Sequence, residues 1–224
     1  MKICVLIPVH NEAQEIGRVL KTVKLQGLEV LVIDDGSTDN SGTIAKQRGA
    51  MVVRHDQRCG KGLSLREGFK QVLKNQYDGV MTMDGDGQHD PADLHQFFDK
   101  IKEDPISIVT GNRMRKAHRM PWIRYWTNRF MSFLISCICK QSIPDTQCGF
   151  RYIHRKILEE IEITCNDFEV ETEVLIQASK RGYQIHSVPV KTIYRGEKSK
   201  IRLGKDTIRF FNYLIREMTC RRNS

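Results

Sequence analysis

The chain has 224 residues, with 36 Lys and Arg against 27 Asp and Glu for a formal charge of +9, and 40% of it is apolar. This is enough apolar material for the core of one ordinary domain, and the composition excludes intrinsic disorder, collagen-like repeats, coiled coils and small disulfide scaffolds. The charge is uneven, because residues 1–112 carry 14 basic and 16 acidic residues while residues 113–224 carry 22 and 11, so the second half is suited to anions.

Seven cysteines and an N-terminus without a signal-peptide pattern predict reduced thiols and a cytoplasmic chain. The longest apolar run, Phe130 to Cys139, is about half the roughly 20 residues of a membrane span. Contact with a bilayer is therefore expected only at its surface.

Short apolar runs at Ile3–Val9, Val30–Ile33, Met51–Val53, Val80–Met83 and Ile106–Val109 predict buried strands. Helical spacing lies between them: Ile16, Val19, Leu20 and Val23 form one face, and Leu65, Phe69, Val72 and Leu73 another. Strand and helix alternate, so an α/β fold with a mostly parallel sheet is expected. Asn11 with Gln14 reads as a capping box, Asp90-Pro91 as a helix start, and Gly49 and Gly182 as residues just past helix ends. Further on come a helix over about 122–140, a strand near Phe150–Ile153, a helix over about 171–181, a strand near Ile185–Val190 and a terminal helix from about Lys205. The Cys137-x-Cys139 pair reads as buried thiols within the apolar helix.

In an open α/β sheet, ligands lie beyond the carboxyl ends of the strands. Here those ends are Pro8-Val9-His10-Asn11-Glu12, Asp34-Asp35-Gly36-Ser37 and Asp84-Gly85-Asp86-Gly87-Gln88-His89. Asp84 and Asp86, two apart at a strand end, are expected to point the same way. With the amide oxygen of Gln88 they make a hard donor set for Mg²⁺ or Mn²⁺. His89 could also ligate the metal, but a cap or surface role is the first reading of it. Neither a Gly-x-Gly-x-x-Gly turn nor a P-loop follows the first strand.

These motifs, together with Gly111-Asn112-Arg113 and Cys148-Gly149-Phe150-Arg151, resemble family 2 glycosyltransferases, most closely the dolichyl- or polyprenyl-phosphate mannosyltransferase branch. The resemblance implies a GT-A fold, a nucleotide-sugar donor such as GDP-mannose, a divalent metal, and inverting transfer of mannose or another hexose to a polyprenyl or dolichyl phosphate. With no linker, repeat or second core the chain reads as one domain, with a donor half over 1–112, an acceptor half over 113–204 and a terminal helix over 205–224 made amphipathic by Ile208, Phe211, Leu214, Ile215 and Met218 on one side and Lys205, Arg209 and Arg216 nearly opposite. On the resemblance, Pro8, His10, Glu12, Ile33, Asp35, Lys61, Asp84, Gly85, Asp86, Arg195 and Lys200 would contact the nucleotide-sugar. Asp84, Asp86 and Gln88 would hold the metal, and Arg113, Arg124 and Asn128 would receive the acceptor phosphate. Asp84, Asp86, Arg113 and Arg124 would carry the catalysis. Glu173 would orient an arginine, and the segment Arg195–Lys200 would close as a lid. Position 128 is Asn where the branch can have a small hydroxyl residue, and the transmembrane helices of some relatives are absent.

The residues themselves support an anionic acceptor. Arg113, Arg115, Lys116, Arg119, Arg124 and Arg129 occur with no acid among them, and Arg124 and Asn128 share one helix face. A phosphate monoester, with a second pKa near 6, is already a nucleophile at neutral pH. Trp122, Tyr125, Trp126 and the apolar run from Phe130 point to peripheral contact with the cytoplasmic membrane surface or with a membrane-anchoring partner. A hydroxyl acceptor on a sugar or glycan would instead need a carboxylate base, with Asp145, Asp167 and Glu169 as candidates. Nucleic acid is not expected as a partner, because the acidic turns would repel it.

Overall fold

A computed structural model describes residues 1–114, 120–167, 169–193 and 213. Seven strands, β1 (Ile3–Val9), β2 (Glu29–Asp34), β3 (Met51–Arg54), β4 (Gly79–Thr82), β5 (Ile108–Asn112), β6 (Arg151–His154) and β7 (Ile185–Pro189), form one sheet in the order β3-β2-β1-β4-β6-β5-β7. Pairing is parallel except on the two sides of β6, which runs antiparallel between β4 and β5.

Period-2 alternation divides the central strand between two cores. Cys4 and Leu6 face one cluster, and Ile3, Val5, Ile7 and Val9 face the other. The first cluster is covered by α3 (Lys61–Lys74), α5 (Trp122–Cys139), α6 (Arg155–Glu160) and α7 (Glu169–Lys180), which contribute Leu65, Ile135, Ile157 and Val174. Against the second pack α1 (Ile16–Leu25), α2 (Ser41–Gln47) and α4 (Leu94–Glu103), with Leu20, Ala45 and Phe97. The result is a three-layer α/β/α arrangement in which β1 is buried on both faces. Each buried Leu or Ile contributes roughly 1.5–3 kcal/mol relative to exposure.

Several local expectations hold. Asp90 caps the 3₁₀ turn Pro91–Asp93 by accepting from the Ala92 N–H at 3.0 Å, and Gly49 and Gly182 take φ of 75° and 83°. The capping box at Asn11 does not form. Asn11 sits at φ 58°, its side chain accepts from the Thr38 N–H at 2.8 Å, and α1 begins at Ile16. A short amide side chain tolerates the left-handed region and is more useful here in tying two turns together. Of the cysteine pair, Cys139 is buried and Cys137 is exposed, since residues two apart on a helix face different sides.

Because β1, β2, β4 and β5 are mutually parallel, their carboxyl ends lie at one edge of the sheet. The antiparallel β6 begins at that edge, so its preceding Cys148-Gly149-Phe150 segment joins them.

Candidate active site

The first two turns are held together by side-chain bonds to backbone. Ser37 Oγ accepts from the Asn11 N–H (3.1 Å), Ser41 Oγ from the Glu12 N–H (2.8 Å) and Asp39 Oδ2 from the Ala13 N–H (3.1 Å). His10 Nδ1 lies 2.8 Å from the Asp35 carbonyl. The Asp35 carboxylate accepts from the Cys59 and Gly60 N–H groups at 2.7 and 2.8 Å and meets His55 Nδ1 at 3.0 Å. Burial works to raise the Asp35 pKa, but these partners outweigh it and hold the group below its ordinary value. His10, Glu12 and Asp35 are therefore tied into adjoining turns, and Pro8 stands at the end of β1 opposite Ile33 of β2. Ile33 departs from the expectation: its side chain is wholly buried between the sheet and α3, so it has no side-chain surface to offer a ligand.

The turn after β4 carries the acidic pair. β4 ends at Thr82, so Asp84 and Asp86 stand on a turn and strand alternation does not set their directions; Gly87, at φ 72°, gives the bend. Asp84 Oδ1 meets the Lys61 ammonium at 2.6 Å and Oδ2 meets His89 Nε2 at 3.1 Å. Asp86 Oδ1 accepts from the Gln88 N–H at 3.0 Å. Lys61, at the start of α3, also lies 3.3 Å from Glu171 on α7. A Cβ built on Gly149 would lie 2.8 Å from Asp84 Oδ2 and 3.1 Å from both Lys61 Nζ and Glu171 Oε1. Only glycine fits there without displacing the cluster.

Burial opposes ionisation of Asp84, yet Lys61 and His89 hold its carboxyl well below the usual carboxylate range. Burial likewise opposes the charge on Lys61, and the carboxylates of Asp84 and Glu171 raise its pKa in spite of it. Asp84 is thus an anion with a cation already against it. The carboxylates of Asp84 and Asp86 and the amide oxygen of Gln88 are hard donors by their chemistry, the kind that suits Mg²⁺ or Mn²⁺. His89 is neither a cap nor a surface residue: it is 3% exposed, its ring packs 5.4 Å from that of Phe150, and it bonds Asp84.

On the other side of the edge, Arg113 follows β5 directly. It is buried, and Asp145 engages it through Nε at 2.8 Å, NH2 at 2.9 Å and the backbone N–H at 3.1 Å. Burial raises the Asp145 pKa, but the guanidinium outweighs that and the pKa is lowered. A wholly buried carboxylate fixed to an arginine is no general base, which removes Asp145 from the candidates for that role. Arg124 is half-buried on α5, and Asn128 lies one turn on, on the buried side of the helix. Ser132 continues that side and bonds Thr146 at 3.1 Å, which fixes the segment leading to Asp145. Glu173 does not orient an arginine: it accepts from the Thr164 N–H at 3.0 Å and the Cys165 N–H at 2.9 Å. Arg195, Lys200 and the other basic residues of 194–212, the terminal helix apart from Tyr213, and Arg115, Lys116 and Arg119 lie outside the described residues.

The sequence reading missed Glu171, Gly149 and the fully buried Arg151. Arg151 donates to the carbonyls of Cys148 and Thr146, both at 2.7 Å, and of Glu171, so it pins the Gly149 segment to α7. Of these, only Arg151 and Gly149 carried a signal, as parts of the Cys-Gly-Phe-Arg motif.

Comparison with known proteins places the family and the fold. The chain is 31% identical to a dolichyl-phosphate hexose transferase of Haloferax volcanii, over 89% of this chain and 86% of that one. It is 28% identical to a UDP-N-acetylglucosamine–dolichyl-phosphate N-acetylglucosaminyltransferase of Methanococcus voltae, over 86% of each. The crystal structure of glucosyl-3-phosphoglycerate synthase from Mycobacterium tuberculosis in complex with UDP superposes with a TM-score of 0.77, at 21% identity, over 96% of this chain and 79% of that one, and it shares the GT-A fold. The model of glycosyl transferase family 2 matches residues 4–162. With that match over most of its length, the chain belongs to the family 2 glycosyltransferases and is a glycosyltransferase.

Proposed function

We propose that this glycosyltransferase moves a hexose from a nucleotide-sugar to a polyprenyl or dolichyl phosphate, with inversion at the sugar carbon. The observation that carries this reading is the fate of Asp145. A hydroxyl acceptor needs a base, and of the three carboxylates named for that role, Asp145, Asp167 and Glu169, the first is spent on Arg113. A phosphate needs none, because it arrives ionised. The names of the Haloferax and Methanococcus relatives, both acting on dolichyl phosphate, agree.

In this reading Pro8, His10, Glu12 and Asp35 bind the nucleoside, and Lys61, beside Asp84, meets the donor diphosphate, while Gly85, where a Cβ would stand 2.7 Å from Val9 Cγ1, lets the acidic turn close against β1. Asp84, Asp86 and Gln88 would hold Mg²⁺ or Mn²⁺, which when bound supplies Lewis-acid stabilisation of the charge on the departing nucleoside diphosphate. Arg124 and Asn128 grip the acceptor phosphate, and Arg113, braced by Asp145, adds fixed positive charge behind it. A phosphate oxygen forms the new bond to the sugar carbon as the bond to the nucleoside diphosphate breaks. Arg195 and Lys200, on their sequence motif, belong to a lid that closes over both phosphates.

A polyprenyl tail is met at a membrane surface. Trp122, Ile123, Trp126, Phe130 and Phe133 are all exposed large apolar residues of α5, and residues 113–144 contain seven Lys and Arg with no acid. Both features suit an anionic headgroup layer on the cytoplasmic face. Among the described residues no helix is long and apolar enough to cross a membrane.

Arg124→Ala should abolish transfer to a short-chain polyprenyl phosphate while leaving nucleotide-sugar binding intact, tested with a panel of GDP- and UDP-sugars and read by mass spectrometry. Undiminished turnover in that variant would remove the phosphate grip from the reading.

A further inference from the structure

At the turn after β2, three side chains of different ligand chemistry converge. A carboxylate oxygen of Asp35, Nδ1 of His55 and Sγ of Cys59 all lie within 4.8 Å of one another, with the His55–Asp35 pair at 3.0 Å. The loop that carries His55 and Cys59 is pressed onto Gly36, whose positive φ of 63° and missing side chain let the backbone of Gln57 and Arg58 approach; a Cβ there would stand 2.6 and 2.7 Å from them. His55 and Cys59 also line a cleft of about 170 Å³ with Leu63, Arg66, Glu67 and Lys70, which leaves a solvent-facing side for a further ligand.

From this we infer that Asp35, His55 and Cys59 form a second metal site, selective for a borderline-soft divalent ion such as Zn²⁺ over Mg²⁺. Thiolate and imidazole favour zinc, whereas the Asp84–Asp86–Gln88 set is all hard oxygen. With Zn–S about 2.3 Å and Zn–N or Zn–O about 2.0–2.1 Å, tetrahedral donors stand roughly 3.3–3.6 Å apart, so the cluster closes on the ion with a movement of about 1 Å. Cys59 releases its thiol proton to solvent, His55 binds through neutral Nδ1 in place of its contact with Asp35, and water from the cleft takes the fourth position. Since Asp35 is also the carboxylate that the nucleotide-sugar reading gives to the nucleoside, zinc at this site inhibits by competing with the donor. That second part rests on the proposed function; the site itself does not.

The test uses the full chain and the metal alone. Zn²⁺ titration should show a tight site that is weakened more than about 100-fold in Cys59→Ser and in His55→Gln, beyond what loss of an outer partner costs, and unchanged in Cys137→Ser. Co²⁺ in its place should give a thiolate-to-metal charge-transfer band in the wild type. Zn²⁺ should also protect Cys59 of the wild type from alkylation, a reading that needs no variant to fold. Absence of the band and of protection, or equal zinc affinity in wild type and Cys59→Ser, overturns the site. Zinc bound through Cys59 with donor affinity unchanged upholds the site and overturns instead the nucleoside role of Asp35.

Discussion

Asp145→Asn separates a bracing role from a chemical one. The carboxylate accepts four hydrogen bonds, three from Arg113 and one from the Gln147 N–H at 3.1 Å, and its side chain and that of Arg113 are 0% and 7% exposed. Asparagine keeps the shape but turns one acceptor into an NH₂ group facing a donor, and it leaves the guanidinium buried without a counter-charge. Breaking one partner of such a pair costs about 3–5 kcal/mol. At roughly 2–4 °C per kcal/mol for a chain of this size, the midpoint falls by about 10 °C.

Urea denaturation followed by circular dichroism should show that loss with an unchanged slope. Arg113→Met/Asp145→Leu, which removes both charges, should recover most of the stability. If Asp145→Asn lost less than about 1 kcal/mol while the folded protein lost its turnover, the carboxylate would be acting in the chemistry. The hydroxyl-acceptor reading would then return.

Gly149→Ala should weaken donor binding in the presence of Mn²⁺ by about 10–100-fold, the range for disturbing groups that support metal ligands, because its Cβ displaces Asp84 from Lys61; calorimetric titration reads this, and unchanged affinity would show that the cluster yields freely. Folded-state pKa values of Asp35, Asp84 and Asp145 are all depressed, so their contribution to stability is present above the unfolded value near 4 and lost as pH falls through the folded values. Urea midpoints should accordingly hold between pH 7 and 5 and drop below about pH 4, and a fall already between pH 7 and 5 would contradict this. Trp122→Ser/Trp126→Ser should lower binding to anionic vesicles more than about tenfold, since each indole withdraws roughly 1.5–3 kcal/mol of buried apolar surface; co-sedimentation with equal partitioning of both proteins would locate membrane contact elsewhere.

The architecture was legible because it rests on short-range pattern. β1 is apolar without a break, and the faces of α1 and α3 repeat at helical spacing, so both elements follow from residues close in sequence. The acidic turns were legible for the same reason, since each directly follows its strand. What escaped depends on contacts between distant segments. Glu171 reaches Lys61 across 110 positions, and no local pattern separates it from Glu173, which proves to hold the loop at Thr164. Asp145 looked like a free acid until Arg113, 32 residues earlier, was found against it. Asn11 misled because its side chain serves a neighbouring turn and not the helix that follows. Ile33 was placed at the ligand through its motif, whereas period 2 alone turns it into the core.

The antiparallel insertion of β6 has a consequence for how the protein is made. As the chain leaves the ribosome, β1 to β4 have their mutual partners after about 82 residues, yet the free edge of β4 has no cover until residues 151–154 emerge. Asp84 must wait for Gly149, and Lys61 for Glu171, so the centre that would handle an activated sugar is completed only after residue 171 has emerged. Nascent chains stalled before residue 150 should therefore expose the β4 edge to protease while β1 and β2 are already protected.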